Sequence, residues 1–330
     1  MKRTALLIAL LLAVVACSPA DTTTTTAPSL ESATSTIAGT TTSAPAVATT
    51  TADGGFPVTV AADNGSVTID SRPTAVISIS ASATEMLFAM GAGDQVVAVD
   101  DQSDYPAEAP MTDLSGFTPN LEAILAFQPD LVIASFDPGS LVEGLEVAGV
   151  PVLLLNAAPT IDDVYRQIEV IGVATGNIDQ ALLVNGEIRE GLEAVVAEAA
   201  TAADGVTYYH ELDNTLYSVT SQSFIGQLYA LLGMVNIADP ADPDGASFGF
   251  PQLSSEYVVT ADPDIIFLAD AVFGESAETL AARPGWEGMS ALISGAVVEL
   301  DDDVSSRWGP RIVEFLQVIA DSVMSLQPSS

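Results

Sequence analysis

The chain has 330 residues, 44 of them acidic and eight basic, for a formal charge of −36 at pH 7. Such a field repels phosphates and anionic lipid surfaces, which argues against nucleic-acid binding and against membrane attachment through charge. A lone cysteine excludes an intramolecular disulfide, a lone histidine leaves free zinc or manganese short of ligands, and acidity spread along the whole chain reads as a solubility device suited to a salty habitat.

In chain order, Lys2 and Arg3 precede an apolar run from Ala5 to Val15 and the small residues Ala16, Cys17 and Ser18. The run falls short of the ~20 apolar residues that span a bilayer, so residues 1–16 read as a cleaved export signal. The segment Val14-Val15-Ala16-Cys17 resembles a bacterial lipobox. That resemblance implies that Cys17 is acylated and becomes the first residue of the mature protein, held stably at a membrane surface. An ordinary cleaved signal with an incidental cysteine is the alternative. From Asp21 to about Gly55 the chain is Thr, Ser, Ala and Pro with almost no large apolar residue, so residues 17–55 are expected to be a disordered tether with an r.m.s. span on the order of 30 Å.

Short β-branched runs then alternate with amphipathic stretches, the pattern of an α/β protein. After a hairpin (58–62 and 67–70), strands are expected at 75–79, 96–99, 131–134 and 150–155, with helices at 84–90, 121–127 and 141–148. Residues 161–174 read as a helix, Thr175-Gly176-Asn177 as a break, and 178–200 as a long run of good helix formers. Beyond Gly205 the alternation resumes through 206–212, 227–232, 265–269 and 297–300 and closes with a helix over 310–324. The order predicts two α/β lobes, residues 56–175 and 205–330, joined by a single connecting helix in 176–204, with a ligand cleft between them.

A weak internal repeat links the two lobes. Leu121-Glu122 leads to Pro129-Asp130-Leu131-Val132-Ile133, and Ser255-Glu256 leads to Pro263-Asp264-Ile265-Ile266-Phe267, with the same glutamate-to-proline spacing. A looser match sets Glu85–Gly91 beside Gln227–Gly233. The proline stops each helix before a buried parallel strand. Each glutamate falls in a first helical turn, where the macrodipole favours it by roughly 0.3–1 kcal/mol, and helix stabilisation alone would account for it.

The segments Ser80-Ala81-Ser82-Ala83-Thr84-Glu85-Met86-Leu87-Phe88, Asp104-Tyr105-Pro106, Ser223-Phe224-Ile225-Gly226, Phe250-Pro251-Gln252-Leu253-Ser254-Ser255-Glu256 and Ser306-Arg307-Trp308-Gly309-Pro310 resemble the substrate-binding lipoproteins of ABC importers for ferric siderophores, haem and vitamin B12, the class III periplasmic-binding-protein fold. The likeness runs from about residue 72 to the C-terminus. It implies two lobes bridged by one stiff helix and small closure. It also implies docking of one surface carboxylate per lobe, Glu122 and Glu256, onto arginines of a permease dimer that works with an ATPase. It sets Tyr105, Phe117, Tyr217, Phe224, Phe250 and Trp308 in the cleft, as flat apolar faces for a macrocycle or wrapped chelate. Arg307 is the one cation at a matched cleft position, there to meet a ligand oxygen or, alternatively, to pair with Asp301, Asp302 or Asp303.

The expected ligand is therefore a metal chelate or corrinoid, taken up by a monomer that meets the membrane only through its anchor, on the outer face of the cytoplasmic membrane. No cofactor is implied. Poverty in cations favours a corrinoid or hydroxamate complex over a triply anionic catecholate, with haem behind both. His210 reads as structural, and Asp242-Pro243-Asp244-Gly245 as a turn, since it lacks the ends of a calcium loop. The rival classes are a carboxylate-dependent hydrolase and a sensor of the same fold. The hydrolase lacks any visible nucleophile with a base, a Gly-x-Ser-x-Gly or a phosphate loop.

Overall fold

The computed structural model describes residues 55–326; the expected export signal, Cys17 and nearly all of the expected tether fall outside that range. A hairpin opens the described chain, β1 (Val58–Ala62) pairing antiparallel with β2 (Gly65–Ile69). Two parallel sheets follow. The first has the order β5-β4-β3-β6-β7 and is built from β3 (Val76–Ile79), β4 (Val96–Asp100), β5 (Met111–Leu114), β6 (Leu131–Ala134) and β7 (Val152–Leu154). The second has the order β11-β10-β8-β9, from β8 (Thr207–Glu211), β9 (Val235–Asn236), β10 (Ile265–Leu268) and β11 (Val297–Glu299).

Every residue of β3, β6 and β10 is buried, as strands covered on both faces must be. The covering helices are α1 (Ala81–Ala89), α2 (Leu121–Leu125) and α3 (Leu141–Val147) for the first sheet, and α6 (Phe224–Leu231), α7 (Ser255–Ala261), α8 (Ala277–Ala281) and α9 (Ser290–Ser294) for the second. Residues 227–232 are thus mostly helical, in line with their match to the helical stretch 85–91. Helix α1 starts ahead of the expected residue 84 because Ser80 accepts a hydrogen bond from the Ala83 N–H and caps it. Strand β5 gives no sequence signal: Met-Thr-Asp-Leu is no β-branched run, and it pairs only with β4 at the sheet edge.

The repeat is topological. Dropping β5, the order β4-β3-β6-β7 of the first sheet becomes β9-β8-β10-β11 of the second. The Pro-Asp pairs have the same task in both halves. Asp130 accepts from the N–H groups of Thr74 (2.7 Å) and Ala75 (2.9 Å) at the start of β3, and Asp264 accepts from the Thr207 N–H (2.8 Å) and hydroxyl (2.7 Å) at the start of β8. Each aspartate clamps the strand next to its own. Gly91 and Gly233, which close α1 and α6, both take positive φ (73° and 76°), open to glycine at no steric cost.

Between the sheets lie α4 (Ile161–Thr175) and α5 (Ile178–Ala203). The 26 residues of α5 make a rod about 39 Å long at 1.5 Å per residue. It packs between α4, which also contacts α1 and β1, and the last helix, α11 (Ile312–Leu326), which also contacts α6. The short α10 (Asp302–Ser306) precedes α11. In the second sheet Tyr208 stacks on Tyr229 with centroids 4.1 Å apart. His210 is fully buried there, its Nδ1 2.9 Å from the Tyr229 hydroxyl, and burial drives its pKa down to about 3, so it is neutral. Asp242 accepts from the N–H groups of Ser247 (2.8 Å) and Gly249 (3.1 Å), organising a loop.

Candidate functional site

Because each sheet is parallel, the loops that follow its strands all leave by one edge, the edge at which open α/β sheets bind ligands. Ser80 and Ser82 follow β3, Gln102 follows β4, Gly116 and Phe117 follow β5, and Ser135 and Phe136 follow β6. They meet Asp302, Asp303, Ser306, Arg307 and Trp308, the segment between β11 and α11, around a cavity of about 240 Å³. The cavity is therefore walled by the first lobe on one side and by the last segment of the second on the other.

The Arg307 guanidinium is enclosed on several sides. It donates to Glu85 Oε1 (2.9 Å), Asp104 Oδ1 (3.0 Å), Asp303 Oδ1 (2.6 Å) and the Gln102 carbonyl (2.8 Å). Glu85, on α1, is buried and also takes Arg311 (3.2 Å), yet its Oε2 has no partner. Burial pushes the Glu85 pKa upward against both arginines. Trp308 donates its indole N–H to Gln167 of α4 (3.1 Å) and its backbone N–H to Ser82 (3.2 Å). These contacts tie the segment 302–311 to the first lobe. Asp302 and Asp303 are raised as well, by burial first and then by neighbouring carboxylates.

Of the seven ligand candidates, Phe117, Arg307 and Trp308 line this cavity. Tyr105, Tyr217 and Phe250 stand exposed on loops of the same edges outside its wall; Arg311 lies 4.3 Å above the Tyr105 ring, and Tyr217 bridges Gln252. Phe224 is the first residue of α6 and is buried in the core. The alternative raised for Arg307, an ion pair with Asp303, is present at the cavity wall itself. Phe136 lines the cavity beside Phe117 without a sequence signal beyond its place after a strand, and Phe248 (84% exposed) and Phe273 (77% exposed) stand on the loops after β9 and β10. Exposed rings gathered at strand-end loops are the signal that would have found them.

Glu122 and Glu256 are exposed in the first turns of α2 and α7, whose N-termini are capped by Asn120 (3.1 Å to the Ala123 N–H) and Ser254 (3.2 Å to the Tyr257 N–H). Each helix begins where a loop leaves the ligand edge of its sheet. Among the described residues no cluster of three His, Cys, Asp or Glu side chains is arranged to hold a metal ion. What the site offers is aromatic faces, carboxylates and one heavily engaged guanidinium, a surface for binding rather than bond-making.

Comparison with known proteins agrees with this geometry. The family described as "Periplasmic binding protein" matches residues 76–304. An ABC transporter substrate-binding lipoprotein of Bacillus subtilis, described as uncharacterized, is 30% identical over 81% of this chain and 86% of its own. A cobalamin-binding protein of Halobacterium salinarum is 33% identical over 81% of this chain and 74% of its own. Among solved structures, the vitamin B12-binding protein BtuF of Vibrio cholerae superposes with a TM-score of 0.61 at 24% identity, covering 78% of this chain and 99% of that one. The haem-binding protein HutB of the same organism gives 0.68 at 21% identity, covering 77% and 99%. With two parallel-sheet lobes, a cavity at their facing edges and a family match that spans both, the chain belongs to the periplasmic binding proteins, the solute-binding components of ABC importers.

Proposed function

We propose that this protein captures a corrinoid or a ferric hydroxamate complex outside the cytoplasmic membrane and hands it to an ABC permease dimer driven by its ATPase. The observation that carries this reading is the cavity between the lobes, lined by Phe117, Phe136 and Trp308. Cobalamin comes first among ligands because a relative 33% identical is described as binding it. Haem ranks behind, since the one histidine is buried against Tyr229 and offers no axial imidazole to the cavity. In this reading residues 56–175 and 205–330 act as the two lobes on the connecting helix of 176–204, Tyr105, Tyr217 and Phe250 meet the outer face of a large ligand, Glu122 and Glu256 dock on permease arginines, and Cys17 carries the lipid anchor of an exported monomer. The carboxylate-dependent hydrolase alternative gains no support from the relatives, which are described as solute-binding proteins.

The test is native mass spectrometry of the purified chain from residue 56 onward, exposed to an equimolar mixture of cyanocobalamin, ferric hydroxamates, a ferric catecholate and haem. One stoichiometric complex with cobalamin or a hydroxamate is expected. Retention of none of them would sink the reading.

A further inference from the structure

Asp100 ends β4, is buried to 3% exposure and lines the cavity between the lobes. Its Oδ1 is held by Ser103, while among the described residues its Oδ2 receives no hydrogen bond. Oδ2 lies against Gly116, which also lines the cavity; a side chain there would stand 2.8 Å from it and 2.7 Å from the Ile79 carbonyl, so glycine keeps the approach open. Asp100, more than nine-tenths buried, thus carries a carboxylate oxygen with no protein hydrogen bond beside Gly116, in the same cavity wall as Phe117 and Trp308.

Behind Oδ1 runs a buried chain of hydroxyls. Ser103 contacts Thr84 (3.0 Å), Thr84 donates to Ser78 (2.9 Å), and Ser78 donates to the Ser80 carbonyl (3.1 Å). With Asp100 ionised, Ser103 donates to Oδ1, and the three hydroxyls have one hydrogen too few for the four contacts. A proton on Oδ1 fills all four. Oδ2 is then the free acceptor of a neutral acid, and burial, which pushes the Asp100 pKa upward, favours that form. Across the cavity stand Asp302 and Asp303, and the only guanidinium in the wall is engaged by Glu85, Asp104 and Asp303. With two carboxylates facing Asp100 and the guanidinium of the wall already paired, the cavity disfavours an anionic ligand and serves a donor-bearing one.

We propose that Asp100 is a ligand-recognition residue whose Oδ2 accepts a hydrogen bond from an amide N–H or protonated amine on the bound complex, so that the cleft selects amide- or ammonium-bearing complexes over anionic ones. The proposal rests on the reading of this cavity as the ligand cleft. The probes are cyanocobalamin, with its peripheral amides, ferric desferrioxamine B, with a pendant ammonium, and a ferric tricatecholate of charge −3. By isothermal titration the wild-type protein is expected to bind one of the first two at least a hundredfold more tightly than the tricatecholate. Asp100→Leu should weaken that binding tenfold or more. Asp100→Asn, whose amide donates to the hydroxyl chain while its oxygen faces the cavity, should recover it to within about threefold. A tricatecholate bound as tightly as the other two overturns the proposal on the wild-type protein alone, even if Asp100→Leu does not fold. Full affinity in Asp100→Leu alongside a loss in Phe117→Ala overturns it while leaving the cleft in place. Full affinity in both variants removes the cleft reading instead.

Discussion

The two lobes share one topology and differ in what lies beneath their ligand edges. In the register set by Asp130 and Asp264, Ser78 of β3 corresponds to His210 of β8, and each is hydrogen-bonded to the first helix of its lobe, Ser78 to Thr84 and His210 to Tyr229. Around Ser78 the first lobe packs hydroxyls and Asp100; around His210 the second packs Tyr208, Tyr229 and Phe267. Strand clamps and glycine caps are common to both halves because they satisfy backbone groups that any such sheet exposes. The side chains under the edges differ in kind, a polar cavity wall in the first lobe and a packed aromatic floor in the second.

The sharpest way to break this comparison is at the matched pair Glu85 and Gln227. Both cross to another part of the molecule, Glu85 to Arg307 and Arg311, Gln227 to the Pro159 carbonyl at 2.9 Å. Only Glu85 is a buried charge, its side chain 1% exposed. Glu85→Ala should cost about 3 kcal/mol of unfolding free energy, the lower end for breaking a buried pair, since Arg307 keeps Asp104 and Asp303. Gln227→Ala should stay within about 0.5 kcal/mol. Urea titration of both variants checks the contrast, and equal costs would mean that the two contacts are equivalent after all.

The loops after β6 and β10 differ in the opposite sense. Asp270, 3% exposed with neither oxygen hydrogen-bonded, is pushed up to about 7 by burial and then by Glu211, which Arg283 holds at 2.5 and 2.7 Å. For Asp137 a burial penalty is outweighed by N–H groups of Gly139, Ser140, Leu141 and Val142, and its pKa is lowered. Asp270 therefore favours the fold in its neutral form, and the protein should lose stability as pH rises from the ordinary 3.8 to about 7, by up to about 4 kcal/mol. Asp270→Asn should flatten that loss. Asp137 acts in reverse, stabilising at neutral pH and losing that contribution on acidification below its ordinary value. Unfolding curves at intervals from about pH 2 to 8 read both signs.

The smallest expected effect on the fold is at the positions where the lobes are most alike. Changing Glu122 and Glu256 to alanine should cost only about 0.3–1 kcal/mol per helix and leave ligand affinity unchanged, while transport into vesicles carrying the cognate permease collapses. Normal transport by the double variant would remove the docking assignment.

The sheets were legible because Val76–Ile79, Leu131–Ala134 and Ile265–Leu268 are buried on both faces and so carry apolar runs, broken only by Ser78 in the first. Glu122 and Glu256 stood out through repetition. The Arg307–Asp303 pair, one helical turn apart, was within reach of the sequence; the Arg307–Glu85 pair was not, because 222 residues separate its partners and no local pattern records a contact made by folding. Asp100 hid for a related reason, since its meaning depends on Ser78, Thr84 and Ser103 converging on it and on a glycine left open in front. Phe224 shows the converse: a motif position marks an aromatic ring without saying which way the helix turns it.

The buried pair also sets an order of events. A ribosome makes Glu85 long before Arg307, and at about 5–20 residues per second the 222-residue interval lasts about 10–40 s. Throughout that time helix α1 has no guanidinium to cover its carboxylate, so the first lobe cannot adopt its final surface until residues 307–311 are available. The halves of this molecule, alike in topology, therefore mature together, and residues made late, 307–311, complete the surroundings of the first helix of the parallel sheets.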